Sequence, residues 1–283
     1  QTGPPCADRR TSPAAILPSY PDVMTDTPSK APRGRSFRRS VSGTRRGHMV
    51  SKGYISAWAN QRNVVDVLDV QDGRGYPSSI ENASVVSYVY DPAVLTHDLE
   101  GQFGDIEDEG ASAFTKLRAG DELTPSDMTA VIEFLDMHLH RGRYADRAGD
   151  TQPAVLMMKD GSVQDAELNY GDLLSLAHDH PDTLRLTTLG LEQRVWKLYP
   201  MEGLYTGDGA VLLWGHGPDV DPTTITFPLS PTQLLVIGDD LADDININRF
   251  IVHNCRRWIV GQRGTLPIEA MRKLSSRRTA DPV

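Results

Sequence analysis

Residues 63–70, NVVDVLDV, alternate β-branched apolar side chains with acidic ones, and QDGRG follows with turn residues, so the pattern predicts a strand and then a turn. A second extended segment is expected over residues 80–92, IENASVVSYVYDP, ending at Pro92. From Val94 to Leu117 the spacing becomes helical, because Leu99, Phe103, Ile106, Ala113, Phe114 and Leu117 fall on one arc. A second helix is predicted from 125 to about 142: Thr124 is its N-cap, Pro125 its first residue, and Asp127 lies near the positive end of the helix dipole. On this helix Val131, Ile132, Phe134, Leu135 and Leu139 share a face with Met128.

Two polar residues fall on or beside that face. His138 lies within the arc and Arg141 on its edge, whereas His140 shares the opposite face with Glu133 and Asp136 and is expected in solvent. A buried arginine requires an anion or several acceptors. On the preceding helix Glu100 and Glu107 lie beside the apolar arc, two turns apart, while Asp105, Asp108 and Glu109 point elsewhere. If the short RAGDEL connection folds the two helices antiparallel, the glutamates can meet His138 and Arg141.

Further helix is expected over residues 171–195, interrupted at HDHPD, where Pro181 favours a loop for His178 and His180. Strand patterns follow in RVWKLYP, GLYTGDGAVLLWG and ITFPLSPTQLLVIGD, with Gly207-Asp208-Gly209 suited to a tight hairpin. A closing helix is predicted over about 244–261, its N-terminus charged favourably by GDDLADD, with a short terminal one in IEAMRKLSSRR. Helices in the middle and strands at both ends indicate an α+β fold: a central helical pair with an antiparallel sheet drawn from both ends of the domain.

Composition adds a boundary. The 283 residues carry a net charge of −9, yet residues 28–47 hold Lys30, Arg33, Arg35, Arg38, Arg39, Arg45 and Arg46 without an acid. Residues 1–46 lack the hydrophobic density to fold and are expected as a disordered leader and basic arm, with translation starting at Met24; residues 47–283 form one α+β domain. Such an arm is either a solvated tail or a tracker of nucleic-acid phosphates; only Phe37 interleaves with its arginines, so a stacking surface is missing. No apolar run reaches membrane-spanning length and no signal pattern opens the chain, which makes a cytoplasmic location the expectation. Cys6 and Cys255 are too few for a disulfide framework or a zinc-thiolate centre.

The sequence has no Walker-type phosphate loop, no G-x-G-x-x-G after a strand, no G-x-S-x-G elbow and no H-E-x-x-H. P-loop, dinucleotide, serine-esterase and zincin chemistries are therefore disfavoured. What remains is a set of acids, histidines and an arginine: Glu100, Glu107, His138, Arg141, Asp208 and, near the start of the ordered region, His48. Arginine suits an anion, paired acids suit a proton or a divalent metal held by Glu100, Glu107 and Asp208, and histidine suits proton transfer. A structural ion-pair network at the rim of a core explains the same set without a substrate.

In this order the motifs resemble the bacterial domain-of-unknown-function family 4238. Its pattern runs from a His-aromatic-Val-Pro motif through a glutamate helix, a Gln-x-x-Arg helix, a Trp, a Ser-Asp-x-Pro turn and a Pro-Leu-Ser-Pro strand to an Asn-bearing helix. The counterparts here are HMVSKGYISAW from His48, LEGQFGDIEDE with Glu100 and Glu107, FLDMHLHR with His138 and Arg141, then Trp196, YTGDGAV with Asp208, FPLSP and Asn248. The likeness covers roughly residues 48–262. Ser51 stands where the family has proline, His138 where it has glutamine and Ala210 where it has the second proline, marking a divergent member. The resemblance implies a shared architecture and a common site of His48, Glu100, Glu107, Arg141 and Asp208, not an activity.

Two functional classes follow. One is a hydrolase-like enzyme for a phosphodiester or other anionic substrate, with Arg141 on the anion, Glu100, Glu107 and Asp208 as metal ligands or acid/base groups, and His48 or His138 moving protons. The other is a non-catalytic binding module whose polar cluster is structural and whose arm, through Arg33, Arg35, Arg38, Arg39, Arg45 and Arg46, meets nucleic acid. Deleting residues 24–46 is expected to lower nucleic-acid affinity and flatten its salt dependence in filter binding; an unchanged affinity and slope would remove the arm from consideration.

Overall fold

The computed structural model describes Ala14 and Ala15 and residues 46–87, 99–157, 160–180, 183–215, 217, 220–242 and 244–267. Apart from Ala14, Ala15 and Arg46, the leader and arm lie outside the described residues, as do the expected extended residues 88–92 and the expected terminal helix in IEAMRKLSSRR.

Within them the architecture is α+β. Strand β1 (Ala14–Ala15) and the short β2 (Gly47–His48) precede a helical turn α1 (Lys52–Ile55). The hairpin β3 (Val64–Asp69) and β4 (Arg74–Ser79) comes next, then β5 (Val85–Val86), which pairs with β2. The central pair is α2 (Leu99–Ala119) and α3 (Pro125–Gly142), followed by the ribbon β6 (Gln152–Met157) and β7 (Val163–Leu168) and by α4 (Tyr170–Asp179). The last part of the chain supplies β8 (Trp196–Pro200), β9 (Thr206–Gly207), β10 (Leu212–Gly215), β11 (Thr224–Ser230), β12 (Gln233–Gly238), α5 (Ile247–Asn254) and β13 (Trp258–Gly261). A five-stranded antiparallel sheet has the order β1-β10-β11-β12-β8, and a four-stranded one the order β4-β3-β13-β9. The second of these joins strands from both ends of the ordered chain. Among the described residues no helix is long and apolar enough to cross a membrane.

The best-specified element is α3. Thr124 accepts from the Asp127 amide while Asp127 bonds back to the Thr124 amide, a reciprocal cap that satisfies two otherwise open donors, and Pro125 occupies the first turn, where no amide partner is needed. Gly120, at φ 76°, ends the loop-side turn of α2 in the left-handed region. The two helices approach closely at Gly110, where a Cβ would sit 2.9 Å from the Phe134 ring. Phe114, Phe134, Phe227 and Tyr54 then form an aromatic centre, with Tyr54 stacked on Phe227 at 4.7 Å, so α2 and α3 are clamped against β11.

Several expectations change. His140 and Asp136 are buried rather than solvated, because α4 and the segment 184–186 cover that side of α3: Asp136 accepts from Leu186 N at 2.6 Å and pairs with Arg185. Residues 74–79 form a strand despite Gly75, Pro77 and three serine or tyrosine neighbours; β4 is an edge strand, where proline is tolerated. The closing helix stops at Asn254, and Trp258–Gly261 pair with β3 and β9 instead. No acid lies in the first turn of α5; Asn246 caps it, and Asp240 of the acidic run binds Lys197 and Tyr199. His178 lies in the last turn of α4 rather than in a loop.

The Gly207-Asp208-Gly209 segment is not a hairpin tip. Strand β9 pairs with β13 and β10 with β11, so the segment carries the chain from one sheet to the other. Its glycines answer a close approach: a Cβ on Gly209 would lie 2.4 Å from the Asn254 carbonyl carbon, and one on Gly142 of α3 would lie 1.9 Å from the Asp208 carbonyl oxygen. Replacing Gly142 with alanine is therefore expected to cost at least about 3 kcal/mol in urea denaturation. Gly104→Ala on the exposed side of α2, where nothing lies within 4 Å, should instead stabilise by about 0.5–1 kcal/mol. Equal effects at the two positions would contradict this packing.

Candidate functional site

The polar residues gather along one seam that begins near the surface at β2 and runs inward past α2 and α3 to the β9–β10 crossover. His48 is fixed by the β2–β5 pairing, opposite Val85. Its half-buried imidazole is held below its ordinary range by burial, with Glu107 pulling it upward, exposed Lys52 pushing it down, and hydrogen bonds to the backbone of Glu81 and Ile80. Glu107 and Arg141 form an ion pair at 2.5 Å across α2 and α3; the arginine side chain is 4% exposed and the glutamate 24%. Arg141 also stands 4.4 Å over the Phe103 ring, and its carbonyl accepts from the Tyr170 hydroxyl.

One turn earlier on α3, His138 is 2% exposed and bonds the Gly207 carbonyl through Nε2 at 2.8 Å. A carbonyl only accepts, so Nε2 carries the proton. Burial pushes this imidazole down to about 4, assisted by the Arg141 charge, and it is neutral at physiological pH. Tyr54 packs edge-on against it, donating to the Pro228 carbonyl and sharing a 2.6 Å hydrogen bond with Thr206.

Asp208 closes the seam. Its two carboxylate oxygens accept from three consecutive amides, Arg256 at 2.7 Å, Arg257 at 2.8 Å and Trp258 at 2.9 Å, where α5 gives way to β13. Burial raises it to about 6 although those amides favour the anion.

The structure thus brings His48, Glu107, Arg141 and His138 into succession, and sets Asp208 beyond them with its oxygens already taken. Arg141 is committed to Glu107. The side chain of Glu100 lies outside the described residues, although its backbone is in α2. Among the described residues no group of three or more His, Cys, Asp or Glu side chains is arranged to hold a metal ion. Asn248 and Trp196 bond backbone groups: Asn248 bridges Gly203 and Tyr205, and Trp196 donates to Leu191. Tyr54, Lys52 and Tyr170 escaped sequence reasoning; only the i, i+4 spacing of Tyr54 and Trp58 in HMVSKGYISAW offered a signal.

Comparison with known proteins matches part of the chain to a family. Residues 46–179 fit the model of a family described as protein of unknown function (DUF4238). It contains His48, Glu107, His138 and Arg141, while Trp196, Asp208, FPLSP and Asn248 lie beyond the matched residues. No curated protein and no solved structure matches the chain.

The buried groups fix how stability depends on pH. His138 and His140 are both pushed down to about 4 from 6.5, mainly by burial. Between those values the unfolded chain binds more protons, so each histidine's contribution is complete above about pH 6.5 and is lost towards pH 4, about 3 kcal/mol apiece. Asp208, raised from 3.8 to about 6, acts oppositely: its charged form costs stability above pH 6, a cost relieved on acidification. His140→Gln keeps a donor for the Leu174 carbonyl but removes one titration. Denaturant unfolding should show it losing about 3 kcal/mol less than the parent between pH 7 and pH 4; identical losses would contradict the assignment.

Proposed function

We propose that this chain, a member of the DUF4238 family across residues 46–179, is a hydrolase-type enzyme acting on an anionic substrate of phosphodiester character, with His48 and Glu107 as its reacting pair. The observation that supports this most is their placement at the outer end of the seam: a half-buried histidine within electrostatic reach of a partly exposed carboxylate that a buried arginine holds in place. Burial favours the neutral imidazole, the form that takes a proton from water. Glu107 then stabilises the imidazolium, and Arg141 fixes Glu107 rather than binding the anion. Lys52 stands beside His48 to meet the substrate's charge. Glu100 is the candidate for a second carboxylate or metal ligand. The arginines of residues 33–46 extend the same preference for phosphates along a nucleic-acid strand.

A second reading, a non-catalytic binding module, is favoured by the inner seam, where backbone groups already hold His138 and Asp208. Under it the polar residues specify packing and the basic arm meets the partner.

His48→Gln and Glu107→Gln separate the readings. On the enzyme reading both lower kcat/KM by at least about 100-fold against bis(p-nitrophenyl) phosphate or single-stranded RNA or DNA, and His48→Gln keeps the parental Tm. Glu107→Gln also loses stability, by about 3 kcal/mol, because it takes a carboxylate away from the buried Arg141 charge. No phosphodiester turnover by the parent, or turnover undiminished in His48→Gln, would discard the enzyme reading for the binding one.

A further inference from the structure

The ribbon of β6 and β7 holds apolar side chains out in water. Opposed residues of an antiparallel pair share a face, and the register Pro153↔Glu167, Val155↔Asp165 and Met157↔Val163 puts these six on one side. It is the outer side: Val155 is 66% exposed, Met157 80% and Val163 61%. Ala154, Leu156, Ala166 and Leu168 lie on the inner side and are half-buried or buried. A strand with one solvated face ordinarily turns polar residues outward. QPAVLM instead is apolar on both faces after Gln152, and it carries no charge.

This strand also has an unused edge. Among the described residues β7 is its one strand partner, and Gln152–Met157 make no backbone–backbone hydrogen bond outside the ribbon. One row of N–H and C=O groups therefore faces away from β7. A two-stranded ribbon is marginal by itself, and an apolar edge without charges is a template for a further strand.

We infer that β6 pairs antiparallel with β6 of a second copy about a two-fold axis, joining the two ribbons into one sheet of order β7-β6-β6-β7. Charge selects the edge. β7 carries Asp165 and Glu167, so pairing through β7 would bring the acids of two copies within about 5–8 Å of each other. Pairing through β6 leaves them on the outer strands, three strand spacings or roughly 14 Å apart, beyond the ~8–10 Å over which charges are felt at physiological salt. Charge also selects the partner, because an uncharged strand offers nothing to a basic or acidic segment, whereas a copy of itself lays Val155 and Met157 against the same apolar side chains. A two-fold contact is closed and stops at the dimer, and Pro153, with no amide to donate, bounds the ladder. Size sets the strength: six residues a side fall well short of the roughly 20–30 of a standard interface. The dimer is therefore weak and reversible, with Kd on the order of 100 µM. It is independent of the reading of His48 and Glu107 as a reacting pair.

Sedimentation velocity of the full chain from about 10 µM to about 1 mM, a range that brackets this Kd, tests the proposal. The parent should pass from monomer to dimer. Val155→Lys and Met157→Lys replace exposed side chains, so the circular dichroism spectrum should be kept, while dimerisation weakens at least about tenfold. Each lysine lowers the net charge of −9, so general repulsion does not account for such a loss. Asp165→Asn should leave Kd within about twofold. A monomer throughout, a dimer indifferent to both lysines, growth beyond the dimer, or a dimer strengthened several-fold by Asp165→Asn, which would move the contact to β7, would each overturn the proposal.

Discussion

The structure depends on a buried carboxylate. Asp208 ties three successive amides at the end of α5, and in doing so fixes where the chain turns from that helix into β13. From the same crossover the backbone reaches α3: the Gly207 carbonyl accepts a hydrogen bond from His138, and the Asp208 carbonyl lies against Gly142. One short crossover thereby joins the two larger sheets and the central helix. A charge without partners would not survive at that depth, and three amide donors are what make the burial tolerable.

This junction divides the polar seam into two kinds of residue. Towards the interior, His138 and Asp208 have their polar atoms engaged by backbone groups, which makes them part of how the fold is specified. Towards the surface, the side chains of His48 and Glu107 are partly exposed, although His48 Nε2 itself is shielded, with Arg141 between the two regimes: sealed itself, but holding a partly exposed partner. Proximity along one seam therefore does not imply one role, and the placement of chemistry at its outer end follows from exposure, not from residue type.

Much of the fold was readable where the information is local. The Thr124–Asp127 cap, the apolar arc of α2, the β-branched run of β3 and the apolar run of β11 and β12 each carry their own signature. The helical period puts His138 inside the apolar arc of α3 and Arg141 on its edge, and both are buried. What failed was decided at a distance. Trp258–Gly261 are strand because β3 offers a ladder, and β4 is strand for the same reason despite its composition. Gly207 and Gly209 look like turn residues, but the cause of their small size is the backbone of Asn254 and Trp258, about fifty residues on. His140 is buried because α4 returns over it, which a wheel drawn for one helix has no means to show.

The most direct measurement of the division between a sealed interior and an open end is the rate at which diethyl pyrocarbonate carbethoxylates each histidine of the native protein, read by peptide mass spectrometry. His48 should react while His138 resists until the chain unfolds. Modification of His138 at a rate comparable to His48, or a native protein in which His48 is as inert as His138, would contradict the account.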